Sequence, residues 1–384
     1  MLQSVESEKR KDSGAGRRPL IVGAGPTGLS AALFLALQGV HSRIIDRAAQ
    51  PEKESRAQVV NPRTLELLEP TGVVDDMLAA GHPIHRARFY VGWKPIAQVE
   101  LSGAHPRYRP TVIPQSRTEE LLTHALSHYG VRPERGVRFV ALRQDADGVS
   151  ALLVHPGGER EITHAPLLLG VDGARSHVRT ALGVGFEGSA FPEPWPLFDV
   201  HLNDPLDLES AHVSFVPGGL VFLLGLKPGL WRVFADVPDA LERLPPGSAR
   251  GVIEWRSSFH ISHRLAQREA LGRVALAGDA AHIHSPVAAR GMNLGIEDAY
   301  VFAACAADAL NGQWQRLQDF QRLRRPVHHA VIRRIRLLTE LARGRPRMLG
   351  AMRRPLLLGV THFPPALHAM VALLTGLDHE VCLH

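Results

Sequence analysis

An α/β fold, a largely parallel sheet wrapped by helices with an antiparallel sheet inserted into it and further helices at the C-terminal end, is predicted by three observations. The apolar strand Leu20-Ile21-Val22 runs straight into Gly23-Ala24-Gly25-Pro26-Thr27-Gly28, a strand, tight turn and helix start. Two more apolar strands, Leu167 to Val171 and Arg273 to Ala277, end on Asp172-Gly173 and Gly278-Asp279, so three strand ends carry glycine or acid at one edge. Between the last two, residues 186–237 switch to period-two alternation broken by Pro217-Gly218-Gly219 and Lys227-Pro228-Gly229, the mark of antiparallel strands.

The 384 residues, 45% hydrophobic and 21% charged, can bury a large core in about two domains. Cys305 and Cys382 give neither metal-ligand spacing nor a disulfide framework, which fits a reducing, cytoplasmic setting and expects no metal. The net charge of +6 is concentrated between Arg316 and Arg354, where twelve arginines face only Asp319 and Glu340. A solvated helix face is the plain reading of that block; contact with an anionic membrane surface is the alternative, and nucleic acid is not an expected partner.

Residues 1–18 lack apolar periodicity and are expected to form a disordered tail. The next stretch, Leu20 to Ser42, is uncharged apart from His41 and scores as a membrane span, but Gly23, Gly25, Pro26 and Gly28 in its first third suit a turn and not a spanning helix. They form a G-x-G-x-x-G fingerprint: Gly23 allows the turn, Gly25 lets a pyrophosphate approach, and Gly28 lets the helix Leu29 to Gln38 pack on the strand. A second strand from Arg43 ends in Asp46, eighteen residues beyond the third glycine, where a ribose hydroxyl is bound, with Arg47 beside it. The core is therefore Rossmann-like.

Asn61-Pro62 reads as a helix N-cap and first turn, and Arg56 before it reaches a cofactor or is a surface arginine. Ala87 to Leu101 reads as strands turning at Trp93 and Pro95, and Gln115 precedes a helix from Thr118 to Tyr129 that it touches a cofactor from or simply caps. The last strand, Arg273 to Ala277, leads through a Pro-containing loop to a helix entered at Gly291-Met292-Asn293, whose unpaired N–H groups and dipole favour negative charge in front of them.

GAGPTG at Gly23, VDGARSHVR at Val171, AGDAAH at Ala277 and GMNLGIEDA at Gly291 together resemble the group A FAD-dependent monooxygenases, the p-hydroxybenzoate hydroxylase and polyketide or polyprenyl-phenol hydroxylase type, over roughly Leu20 to Leu310. The resemblance implies a glutathione-reductase-type FAD-binding domain made of 19–80, 112–183 and 265–312, a substrate-binding sheet made of 81–111 and 184–264, and a C-terminal helical region 313–384. It implies that Gly23, Gly25, Gly28 and Asp46 hold the FAD diphosphate and adenosine ribose, and that Arg56 and Gln115 line the path to the flavin. Asp172, Gly173 and Arg175 match a motif associated with FAD and the nicotinamide cofactor, and Asp279 matches the acid on the ribityl hydroxyls. Pro286 stands beside the flavin ring, and the Met292 and Asn293 amides face its pyrimidine edge; these three make up the reacting edge, with no protein nucleophile expected. Pro26, Thr27, Arg47, Gly278, Ala289 and Gly291 lie in the same motifs as cofactor contacts.

The activity so implied is NAD(P)H-driven hydroxylation or epoxidation of an aromatic, quinone-like or polyketide molecule by molecular oxygen, through a flavin C4a-hydroperoxide, in a monomer or homodimer. Only one G-x-G-x-x-G follows a strand, so NAD(P)H binds transiently and without a Rossmann domain of its own. Phe215, Phe222, Leu224 and Trp231 are the candidates for lining an apolar or lipophilic substrate pocket. His282 and His284 read as structural or pocket-lining, since the spacing supplies no third metal ligand. A flavin-dependent reductase of isoprenoid double bonds and a non-catalytic FAD-binding protein are the alternatives; a halogenase is disfavoured because no W-x-W-x-I-P segment occurs.

The chain departs from the family pattern at Ala288-Ala289, where two glycines are usual, followed by Arg290. Left-handed backbone is costly for alanine, so a stiffer loop is expected. Beyond Asn311, Val331, Ile335 and Leu338 fall on one helical face and Arg333, Arg336, Glu340 and Arg343 on another, while Ala366 to Leu377 is apolar but short of the ~20 residues of a span.

Overall fold

The computed structural model describes residues 18–51, 58–203, 206–344 and 347–384. The tail 1–17 and Arg56 lie outside the described residues. A six-stranded sheet forms the base, in the order Ala270–Leu271, Val274–Leu276, Leu168–Gly170, Leu20–Val22, Arg43–Asp46, Glu134–Arg135. All neighbours are parallel except the first pair. Leu20 sits opposite both Leu168 and Arg43, so the ends of these strands bring Val22, Gly170 and Leu276 level and place Asp46 beside them. That alignment explains why three distant motifs meet.

The helix Pro26–Leu37 starts three residues earlier than the periodicity suggests, because Pro26 has the fixed φ of a first helical turn. It is apolar all round and buried on nearly every residue, hence packed between the sheet and the helix Gly291–Leu310. Gln115 likewise opens its helix, Gln115–Ser127, and does not precede it.

The second large sheet has eight strands, in the order His282–Ile283, Arg250–Ala266, Phe186–Leu202, Leu230–Ala235, Gly219–Lys227, Ser210–Val216, Arg86–Val91, Lys94–Glu100. It is antiparallel apart from the pairing of Ser210–Val216 with Arg86–Val91. Short strands were expected here, but Phe186–Leu202 and Arg250–Ala266 each run for 17 residues. A register shift between Ala190 and Pro194 lets the pair continue through a proline-rich stretch.

Cross-strand pairing sorts the side chains of this sheet. Val213, Phe222 and Phe234 are in register, as are Phe215 with Leu220 and Ala211 with Leu224, so these residues share one face. Trp231 lies one residue before Arg232 and three before Phe234, so strand alternation turns it to the other face, fully buried among Val200, Leu223 and Val233. The sequence candidates thus divide: Phe215, Phe222 and Leu224 stay together, and Trp231 is corrected to a core residue of the outer face.

Three helices close the inner face. Gln315–Arg343 runs 29 residues with Pro326 inside, Arg347–His362 follows, and Pro364–Thr375 turns away from it at 100°. No single helix among the described residues is long and apolar enough to cross a membrane. Val331 and Ile335 face inward and Arg333 and Arg336 outward, as the periodicity predicts, but Arg343 is buried. It pairs with Glu193 at 2.6 Å and stacks on Phe191. Other arginines of the block behave this way: Arg324 holds Glu297 and Asp298, Arg316 holds Asp308 and Asp319, and Arg334 holds Asp378. Four of the twelve arginines, Arg316, Arg324, Arg334 and Arg343, are thus turned onto acids from other segments.

Candidate cofactor and flavin-edge site

The Gly23–Gly28 turn is built by contacts that forbid side chains. Gly23 has φ +116°, and a methyl group there would lie 2.3 Å from the Val171 carbonyl oxygen. One on Gly28 would lie 2.0 Å from the Gly23 carbonyl oxygen. Gly25 differs, since a methyl group there would meet nothing within 4 Å. The helix N-terminus is therefore open to an anion at Gly25 while closed by packing on either side. Thr27 lies 2.7 Å from where a side chain on Gly278 would start and 2.3 Å from one on Gly295, so it locks this helix against the last motif.

Asp46 accepts the Ala24 N–H at 2.7 Å and the Ala48 N–H at 2.8 Å, bracing the turn from the neighbouring strand. In front of the turn lies a cavity of about 250 Å³ lined by Gly23, Gly25, Asp46, Arg47, Gln115, Asp172 and Gly173 among others. Arg135, Arg138 and His177 also line it and were missed in the sequence. Arg135 sits 3.8 Å from Asp46 on the edge strand Glu134–Arg135. Its one signal is position: the carboxyl end of an edge strand in a sheet whose ligand edge is already fixed.

Asp172 lines the cavity but its oxygens are engaged: Ser176 Oγ donates at 2.5 Å and the His177 N–H at 2.6 Å, which caps the helix His177–Ala181. Arg175 is exposed and outside the cavity lining. Asp279 is exposed at the end of the Val274–Leu276 strand, in a single 3-10 turn, Gly278–Ala280.

The loop Pro286 to Arg290 carries the chain's main backbone strain. Ala288 has φ +67° and Ala289 φ +50°, two consecutive alanines in the left-handed region. Each costs about 1–2 kcal/mol relative to ordinary backbone. Asn293 holds them there. Its side chain is fully buried, donates to the Ala289 carbonyl at 2.7 Å and the Val59 carbonyl at 2.9 Å, and accepts the Asn61 N–H at 2.9 Å. Asn61 in turn caps its own helix through the Thr64 N–H. The Asn293 side chain is thus a clamp, leaving the Gly291, Met292 and Asn293 backbone amides as the groups at the helix start.

Beneath the loop lies a buried charge cluster. Asp298 accepts from the Gly278 N–H, pairs with His282 at 2.6 Å, His328 at 2.7 Å and Arg324 at 2.8 Å, and His328 also pairs with Glu269 at 2.9 Å. Burial works against the charge on Asp298, yet His328, His282 and Arg324 hold it well below the usual carboxylate range. Burial also opposes the proton on His328, but Asp298 and Glu269 keep it at about 9. His282, Asp298 and His328 do converge as three ligand types within 4.8 Å, which the sequence spacing had not suggested. Their separations of 2.6 and 2.7 Å are hydrogen-bond lengths, short of the roughly 3.3 Å between donors on a tetrahedral ion with ~2.0 Å bonds, and Arg324 already supplies a cation. The cluster is a salt-bridge core tying the last strand's turn to the Gly291–Leu310 and Gln315–Arg343 helices.

Two buried histidines keep ring nitrogens without a hydrogen bond among the described residues, although His284 Nδ1 bonds the Ser285 carbonyl at 2.8 Å. His263 is 5% exposed with neither ring nitrogen bonded among the described residues, and His284 Nε2 is buried and likewise unbonded. Arg264 and Leu265 pair with Ile283 and His282, which sets these two side by side across the strands. Burial pushes His263 down to about 4 and His284 to about 3, so both are neutral at pH 7.

A parallel sheet with an anion-ready turn, a ribose-side acid and a third helix start beyond it define a flavin-type dinucleotide-binding protein. The chain belongs to the family whose model is described as FAD binding domain, matched over residues 18–218 and 238–335. It is 34% identical over 348 residues to 6-methylpretetramide 4-monooxygenase of Streptomyces rimosus, covering 85% of this chain and 62% of that one. The solved OxyS anhydrotetracycline hydroxylase from Streptomyces rimosus superimposes with a TM-score of 0.79 at 30% identity, covering 95% of this chain and 77% of that chain. The p-nitrophenol 4-monooxygenase PnpA from Pseudomonas putida DLL-E4 shares the fold, with a TM-score of 0.86 at 21% identity over 95% of this chain and 99% of its own. The chain thus spans less than two thirds of the first relative's length. By family it is an FAD-binding protein, with FAD as its cofactor, and the relatives it matches are named as monooxygenases or hydroxylases.

Proposed function

We propose that this protein hydroxylates a fused, hydroxyl-bearing aromatic molecule of polyketide type, with NAD(P)H as transient reductant and molecular oxygen as co-substrate. The observation that carries this reading is the pair of neutral imidazoles His263, with both ring nitrogens unbonded, and His284, with Nε2 unbonded, on the sheet face shared with Phe191, Phe222 and Phe234, next to the Pro286 loop. A flat aromatic body suits the phenylalanines, and a phenolic or enolic hydroxyl gives the buried nitrogens the partner they lack. A site built that way rejects analogues without the hydroxyl, because the His263 ring nitrogens and His284 Nε2 stay unbonded.

Gly23, Gly25, Gly28 and the Pro26–Leu37 helix start would hold the FAD diphosphate, with Arg135 supplying positive charge and Asp46 bracing the turn and facing the ribose. Gln115 would continue the path; Asp279 would face the ribityl chain, and Asp172 would act mainly by capping the helix beneath the cofactor. When bound, FAD carries two electrons from NAD(P)H to oxygen and delivers one oxygen atom to the substrate. The Met292 and Asn293 amides at the Gly291–Leu310 helix start favour negative charge at the flavin's pyrimidine edge by roughly 0.3–2 kcal/mol. Pro286, Ala288 and Ala289 would stand beside the bound flavin and help to screen it from water.

The test is NAD(P)H oxidation by the purified yellow protein with 1,8-dihydroxyanthraquinone against anthraquinone, with mass analysis for oxygen from ¹⁸O₂. Stimulation by the hydroxylated compound alone, weakened at least tenfold in His263→Leu, is expected. Oxidation that never exceeds the ligand-free rate across a panel of phenols would sink the hydroxylase reading. Peripheral membrane contact has one supporting feature, the exposed Phe363 at the bend between the last two helices, with Leu356 and Met352 exposed on the helix that leads to it. Salt-sensitive pelleting with anionic vesicles, lost in Phe363→Glu, is its test.

A further inference from the structure

We infer that Asp378 and His379, in the turn after the Pro364–Thr375 helix, are positioning residues for the flavin-edge loop, acting through Arg290 and Glu297 to set the charge at the flavin's pyrimidine edge. Both lie beyond the residues that the family model matches. The inference rests on FAD as cofactor and not on the substrate reading, and its test needs no substrate.

Arg290 stands immediately before the helix Gly291–Leu310 and is completely buried. Its NH1 group donates to Asp378 Oδ1 at 2.9 Å and to the Leu373 carbonyl at 3.4 Å, and its NH2 group lies 3.5 Å from Glu297. Glu297 is two turns further along the same helix and is shared with His379 at 2.7 Å and Arg324 at 3.2 Å. Asp378 is shared in turn with Arg334 at 2.7 Å and His379 at 3.3 Å. The C-terminal turn therefore closes a buried chain of alternating charge that begins at the loop.

The same turn presses on the loop's other anchor. A side chain on Gly376, at φ +81°, would begin 2.4 Å from Asn61 Nδ2, and the Asn61 N–H is bonded to the Asn293 clamp. Arg63, on the helix that Asn61 caps, donates to the His379 carbonyl at 3.3 Å. The strained alanines are thus fixed from above by Asn293 and from below by Arg290, and the tail touches both supports.

A buried carboxylate at this place opposes added electrons on the flavin, and a buried cation favours them. Asp378→Asn keeps the shape and the acceptor oxygen but removes the negative charge, so the bound flavin becomes easier to reduce. His379→Gln removes positive charge and acts in the opposite direction. Neither change touches the cofactor.

The experiment is reduction of the FAD-loaded protein in equilibrium with a reference dye, alongside FAD titration of the apoprotein and thermal melting. The reduced-to-oxidised flavin ratio at fixed dye ratio is expected to rise about threefold or more in Asp378→Asn, to fall in His379→Gln, and to return towards wild type in Asp378→Glu. Unchanged ratios in both charge-removing variants overturn the inference. If Asp378→Asn does not take up FAD, His379→Gln decides on the same criterion. Loss of FAD in both variants, with Asp378→Glu loading normally, also overturns it in favour of a purely structural role.

Discussion

Two turns that the proposed FAD site brings to one cofactor are built on opposite solutions. At Gly23–Gly28 the glycines are required twice over, by positive φ at Gly23 and by backbone oxygens 2.3 and 2.0 Å from where side chains would start. At Ala288–Ala289 the backbone is equally left-handed, yet alanines occupy it. The difference is what surrounds the turn. The first is packed against a strand end and cannot move, so a side chain there is excluded by contact. The second lies in a half-exposed loop whose conformation is imposed from outside by the Asn293 clamp and the buried Arg290, so a strain of a few kcal/mol is absorbed by those contacts.

The sharpest way to break the comparison is Gly28→Ala, expected to destabilise by more than about 3 kcal/mol or to prevent folding, read by denaturant unfolding. Asn293→Leu comes next. Removing a buried amide with three backbone partners costs about 3 kcal/mol and frees the alanines, seen as weaker FAD retention together with a lower melting temperature. If Asn293→Leu melts and loads like wild type, the loop is not held from outside.

The charge cluster beneath the loop gives a pH signature. His328 is held at about 9 against an ordinary 6.5, so its contribution is complete below pH 6.5 and lost as pH rises through 9. His263 and His284, held near 4 and 3, act in reverse: their contribution is present above pH 6.5 and lost as pH falls through 4 to 3. Stability should therefore peak near pH 6.5, with an alkaline decline of up to about 3 kcal/mol that His328→Gln flattens. A melting temperature level from pH 6.5 to 9.5 in the wild type would contradict this.

Smaller effects separate the two turns further. Gly25→Ala, with ordinary φ of −78° and open space around it, should leave stability of the apoprotein unchanged but weaken FAD binding about tenfold or more, since the methyl group stands where the diphosphate approaches. Ala288→Gly and Ala289→Gly should change stability by between zero and about +1 kcal/mol each, where a glycine elsewhere costs about that amount. A loss of 1 kcal/mol or more in either would show that the alanines make contacts that outweigh their backbone strain.

The sheet and its ligand edge were legible because the signals are local: Leu20 to Gly28, Leu167 to Asp172 and Arg273 to Asp279 each carry strand and turn within ten residues. The cavity wall was only partly legible. Arg135 and Arg138 reach it because Glu134–Arg135 adds as an edge strand beside Asp46, a pairing that no local pattern announces. Trp231 illustrates the opposite error. Its aromatic character fits a pocket, but a one-residue step in register turns it to the outer face.

The sequence by itself determined the parallel core, the glycine turn at Gly23–Gly28 and the helix entered at Gly291, because each follows from backbone sterics within a few residues. It also set the odd pair Ala288-Ala289, but not how it is tolerated. Only the tertiary structure decided that, by bringing Asn61 and Val59 to Asn293 from 232 and 234 residues earlier and Asp378 to Arg290 from 88 residues later. It decided the fate of the arginine block as well. Coulomb energy in a buried setting depends on which acid the fold places opposite, and for the buried Arg324 and Arg343 those partners, Asp298 and Glu193, lie 26 and 150 residues away in the chain.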